Sequence, residues 1–179
     1  MQKITLDQYT FMFLKKIYST INFGIRFSGL NKEQKKIVDE VILYTCINFE
    51  VLLISYDLGN CSYETSKKVS YSMYNSFSYY NEKLGLEKNL VLKKMEDCGN
   101  LGDKIGEILI NSEMTERFTF EENVDEMGLQ HFKFAIEYVL TQISLKNQKI
   151  YNRIVSYYKM MLKFVINDYL TISKQYIVE

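Results

Sequence analysis

The side chains from which this 179-residue chain can build a reactive site are one histidine, three cysteines and 22 acidic residues. Their number and spacing remove most familiar metal chemistry. A ferritin-like di-iron centre takes two Glu-x-x-His pairs from facing helices, and His131 is a single imidazole. The same shortage removes HExxH zinc peptidases and zinc sites of two cysteines and two histidines. Cys46, Cys61 and Cys98 are odd in number and far apart, so they make neither a disulfide framework nor a CxxC pair. They read as reduced thiols of a cytoplasmic protein. The chain has no Walker-type phosphate loop, no GxGxxG after a strand and no GxSxG elbow, so the usual phosphate cradles and nucleophile turns are missing. No metal or cofactor is expected.

A short set of candidates remains. His131 falls in an apolar arc with Met127, Phe132, Ala135, Tyr138 and Val139, and reads as a core histidine satisfied by one hydrogen bond; a proton sensor is the alternative. Gly128 and Ala135, seven apart beside it, leave a shallow groove for another helix. At 100° per residue Asp168 lies among Ile150, Tyr157, Met161 and Phe164, so it is expected to be buried and to need a tyrosine or a helix-edge lysine as donor. Asp39, Cys46, Glu50 and Asp57 form a narrow polar strip on an otherwise apolar helix, read as solvated. Tyr71 and Tyr79 stand off the core stripe Val69, Met73, Phe77, Tyr80 and Leu84, among lysines and serines, where they suit a protein interface.

The strongest charge asymmetry is the segment from Glu113 to Glu126. Glu113, Glu116, Glu121, Glu122, Asp125 and Glu126 oppose Arg117 alone. Glu113-x-x-Glu116 and Glu122-x-x-Asp125 resemble the paired acidic motifs with which all-α nucleotide pyrophosphohydrolases of the MazG type hold magnesium. That family sets its motifs on successive helices, whereas five residues separate these two. The segment therefore reads as a solvated, less regular connection at about 111–123, with Glu113, Glu116, Glu121 and Glu122 available to steer a partner. The stretch Cys98-Gly99-Asn100-Leu101-Gly102-Asp103 reads as a turn.

Helices must position all of these groups. Thr5 with Gln8 is a capping box for a helix to about Asn22, closed near Gly24 and Gly29; Asn31 with Gln34 opens a second, ending before Gly59. A third is expected over about 62–83, a short fourth over 86–97, a brief one from Asp103 to about Ile110, another from Asn123 to about Leu145, and a last over 147–176. Arg117 to Phe120 is the only stretch read as extended. The second helix is apolar around most of its circumference and is expected at the centre; Ile150, Ile154, Tyr158, Met161, Leu162, Val165, Tyr169 and Ile172 give the last helix a wide core arc.

The class is thus all-α, a single-domain bundle of six to seven helices. With 22 basic and 22 acidic residues the net charge is zero, which gives no field for nucleic acid or anionic lipid. Glu50 and Asp57 interrupt the longest apolar run, so no membrane span is expected. Fifteen tyrosines and one alanine fit an A/T-rich source genome. By elimination the function points to a non-enzymatic protein that binds another protein or itself, of the accessory, inhibitor, immunity or adaptor kind. The alternatives are a metal-dependent hydrolase using residues 113–126 and a regulator enclosing an apolar ligand.

Overall fold

A computed structural model describes residues 1–21, 29–59, 62–111, 120–143 and 147–179, apart from the side chains of residues 106, 108–111 and 120–127. Among them six helices pack together: α1 (Leu6–Ile21), α2 (Lys32–Gly59), α3 (Tyr63–Lys83), α4 (Lys88–Asn111), α5 (Phe120–Ile143) and α6 (Gln148–Ser173). Strands β1 (Gln2–Ile4) and β2 (Tyr176–Val178) complete the order. The all-α bundle is the architecture that the apolar periodicity requires.

The helices begin where the sequence supplies caps. The Thr5 amide donates to Gln8 Oε1 at 3.0 Å while the Gln8 amide donates back to Thr5 Oγ1 at 3.3 Å. Asn31 and Gln34 make the same reciprocal pair at 3.1 and 2.8 Å. Ser62 Oγ accepts from the Thr65 amide, and Asn147 Oδ1 accepts from Lys149 and Ile150, so two further N-termini have their free amides satisfied.

α2 packs against each of the other five helices. Seven consecutive residues, Val41 to Ile47, are buried, as are Phe49, Leu53 and Ile54. α6 presents Ile154, Tyr158, Met161 and Val165 to this core without solvent exposure, and the Tyr158 hydroxyl donates to the Val38 carbonyl of α2 at 3.2 Å. The small-residue groove on α5 is used for close packing. A Cβ at Gly128 would collide with Leu162 of α6 and lie 3.0 Å from the Phe49 ring of α2.

Three boundaries differ from the sequence reading. The Cys98–Asp103 stretch is not a turn, because α4 runs unbroken from Lys88 to Asn111. Val91, Cys98, Leu101 and Ile105 form one buried face through it. Gly102 serves close approach: a Cβ there would collide with the Asn48 side chain, whose amide donates to the carbonyls of Tyr44 and Cys98 at 2.9 and 3.0 Å. α5 starts at Phe120, not at Asn123, which puts Glu121 and Glu122 in its first turn, where the helix dipole favours acids. α6 stops at Ser173, and the tail becomes β2, which pairs in parallel with β1 in the register Gln2 with Tyr176, Lys3 with Ile177 and Ile4 with Val178. The Gly24 break, Cys61 and the extended reading of residues 117–119 lie outside the described residues.

Gly102→Ala gains helix propensity of about 1 kcal/mol but displaces Asn48 from two buried carbonyls, and a net loss of about 1–2 kcal/mol is expected in denaturant melts. Ile154→Ala, Met161→Ala and Val165→Ala are each expected to cost about 2–4 kcal/mol. Unchanged midpoints in all four variants would contradict this packing.

Candidate functional site

The outward face of α3 is built by the way its inward face packs. Ser72 and Ser76 are small enough for α1 to come close, and Thr10 Oγ1 lies 2.9 Å from Ser72 Oγ and 3.0 Å from Ser76 Oγ. Ser72 also donates to Asp7, and Tyr18 exchanges hydrogen bonds with Asn81 at the other end of the contact. With Val69, Met73 and Phe77 buried beside these groups, the rotation of α3 is fixed. Every fourth residue along its outer ridge, Tyr63, Lys67, Tyr71, Asn75, Tyr79 and Lys83, is then exposed.

This ridge contains both tyrosines singled out from the sequence and one that was overlooked. Tyr63, Tyr71 and Tyr79 are 76%, 71% and 50% exposed. Lys67 stands over the Tyr63 ring at 5.9 Å and Lys83 over the Tyr79 ring at 4.4 Å, distances at which an ammonium is attracted to the ring face. Phe11 of α1 meets Tyr79 edge-on with centroids 5.7 Å apart. Beneath them Asp7, Gln8, Asn75 and Ser76 continue a groove of about 290 Å³. The repeat of tyrosine and lysine at steps of four was the available signal for Tyr63.

The acidic candidates are not brought to this ridge by anything described. Glu113 and Glu116 lie outside the described residues, and Glu121 and Glu122 are placed only by their backbone in the first turn of α5. Among the described residues no three acidic, histidine or cysteine side chains gather as a metal site would require.

His131 is buried at 4% exposure, its ring 5.3 Å from that of Phe49. That is the packed position expected of it. Asp168 has a half-sheltered carboxylate whose Oδ1 lies 3.5 Å from Lys16 Nζ at the edge of α1, so its donor is the helix-edge lysine. The solvated-strip reading of α2 holds for Asp39 and Asp57 and fails for Cys46 and Glu50, which are 0% and 1% exposed. Five helices pack against α2, and they cover the middle of the strip, where both of these residues lie. Glu50 Oε2 and Asp168 Oδ2 are both buried without a hydrogen-bond partner. Burial, reinforced by the Asp168 charge, holds the Glu50 carboxyl well above the usual carboxylate range. Burial also raises Asp168, and Lys16 opposes the shift. Around this pair burial raises the thiol of Cys46 and the phenols of Tyr9 and Tyr169, so the whole pocket favours neutral groups. Cys98 is likewise inert as a nucleophile, its thiol pushed up to about 12 by burial.

No protein-family model, characterised protein or solved structure matches the chain.

A carboxyl raised on folding contributes stability that is full below its unfolded value of about 4 and is lost as pH rises through the folded value. Glu50→Gln keeps the shape and removes the charge. The variant is therefore expected to gain on the parent as pH rises from 4 to 8, with a melting temperature roughly 3–8 °C higher at the upper end. Parallel pH profiles for the two proteins would remove Glu50 as the source. His131→Gln is expected to change the melt and leave partner binding intact.

Proposed function

We propose that the chain acts by binding another protein through the tyrosine and lysine ridge of α3. The observation that carries this reading is the row of three exposed phenols at steps of eight residues, two of them with a lysine one turn on against the ring. A monomeric helix is free to place any polar residue at such positions, and tyrosine offers water little that serine or lysine does not. It offers a partner a rigid apolar plate with a hydrogen-bonding tip at low entropic cost. From Tyr63 to Tyr79 the ridge extends about 24 Å at 1.5 Å per residue, the reach of a standard interface. The adjoining Phe11 groove gives the partner a concave element in which to seat an anchor of its own.

The zero net charge favours a protein over nucleic acid as the partner. Self-association through the same ridge is the nearest variant of the reading. It predicts a mass that rises with concentration and falls in the tyrosine variants. The metal-dependent hydrolase reading rests on residues 113–126, and nothing in the described geometry adds to it.

With a partner in hand, Tyr71→Ala and Tyr79→Ala are each expected to speed dissociation by about tenfold or more, because each removes an aromatic anchor. Replacing Glu113, Glu116, Glu121 and Glu122 by glutamine is expected to slow association at low salt and to have little effect at high salt. Surface plasmon resonance at two ionic strengths separates the two effects. Parent-like dissociation in both tyrosine variants, with unchanged melts, would sink the assignment of the ridge.

A further inference from the structure

On another side of the bundle, α2, α4 and α5 enclose a cleft of about 300 Å³, at the lower end of the range for small-molecule sites. Val41 and Leu101 give it an apolar floor. Its wall contains Tyr44, a residue only 5% exposed, whose hydroxyl is closed off from solvent and has no hydrogen-bond partner among the described residues. That hydroxyl is close enough to Glu40 and Asp97, two carboxylates lining the cleft, to feel both charges.

The charges around the cleft narrow what that group belongs to. Glu40 is already engaged, with Lys94 Nζ 2.6 Å from its carboxylate. Asp97 makes no ion pair among the described residues, and neither does Lys104, whose ammonium stands 5.4 Å from the centre of the Tyr138 ring. The two are seven residues apart on α4, two turns along one face and about 10 Å of rise, with Asn100 between them. Both line the same cleft, with opposite charge and no mutual contact. A molecule that carries an ammonium and a carboxylate a few ångströms apart satisfies both at once, with Asn100 between them to take a further hydrogen bond.

We propose that the cleft between α2, α4 and α5 binds a small zwitterion of the amino-acid type, with Asp97 receiving its ammonium and Lys104 its carboxylate. A purely cationic amine leaves Lys104 unanswered, and a simple carboxylate is repelled by Asp97 and Glu40. The short apolar floor suits a small or medium aliphatic side chain.

The test is calorimetry and thermal shift on the full chain with the standard L-amino acids and γ-aminobutyrate at millimolar concentration, with n-butylamine and butyrate as single-charge controls. At least one amino acid is expected to bind and raise the melting temperature, and both controls to do neither. Asp97→Asn and Lys104→Gln, at exposed positions that leave the core untouched, are each expected to weaken that binding about tenfold or more. The proposal is overturned if none of the amino acids binds, if n-butylamine or butyrate binds as well as the best of them, or if affinity is unchanged in both charge variants.

Discussion

Helix α2 has no side that faces water over its middle turns, and the rest of the bundle follows from that constraint. A helix apolar nearly all round has to be covered all round, and five helices are what it takes. Each of them needs only one apolar face, which is why α1, α4 and α6 keep a mostly polar outer surface while Val41 to Ile47 are all buried. The cover is completed by close approaches. Gly102 lets α4 reach Asn48, and Gly128 lets α5 reach Phe49 and Leu162. Large rings fill what is left, with Phe49, Phe132 and Tyr158 meeting in edge-on pairs at 6.1 and 6.3 Å.

The same constraint sets the electrostatics. A carboxyl on the middle turns of α2 has nowhere to go except into the packing, so burial pushes Glu50 well above the usual carboxylate range, and Asp168 on α6 is drawn toward the opposite charge of Lys16 at the edge. Farther out the polar groups regain water or partners. Asp39 and Asp57 sit where the cover thins, and the Thr10, Ser72 and Ser76 hydroxyls bind α1 to α3 without charge. The tyrosine ridge and the α2–α4–α5 cleft belong to this outer layer. Each is positioned by a contact behind it, the hydroxyl cluster for the ridge and the Asn48 bridge for the cleft.

Local physics was legible in the sequence and non-local physics was not. Thr5–Gln8 and Asn31–Gln34 announce helix starts because both partners lie within one turn. Asp168 was expected to need a tyrosine or a helix-edge lysine because its own helix places it among apolar residues; that the donor is Lys16 of α1 could not be read. Gly102 looks like a turn residue until α2 is seen to press against it, since a glycine for bending and a glycine for contact are written with the same letter. Glu50 was misjudged for a related reason: a helical wheel shows which residues share a face and not how many neighbours surround it. At the ridge, Tyr71 and Tyr79 stood out against the core stripe, whereas Tyr63, at the first position of α3, had no preceding turn to define its face.

The parallel pairing of β1 with β2 joins residues 2–4 to residues 176–178, with all six helices on the path between them. Closing a loop of that length costs about 4–5 kcal/mol of chain entropy, more than a few ladder hydrogen bonds contribute. The strands meet because α1 and α6 have already brought them together, through the stacked rings of Phe13 and Tyr169 and the contact of Lys16 with Asp168. During synthesis β1 therefore emerges well before β2 and waits unpaired until the six described helices between them have followed. Its amide protons report on completion of the bundle: they are the last to gain protection from hydrogen exchange as the chain folds, and the first to lose it when α6 loosens.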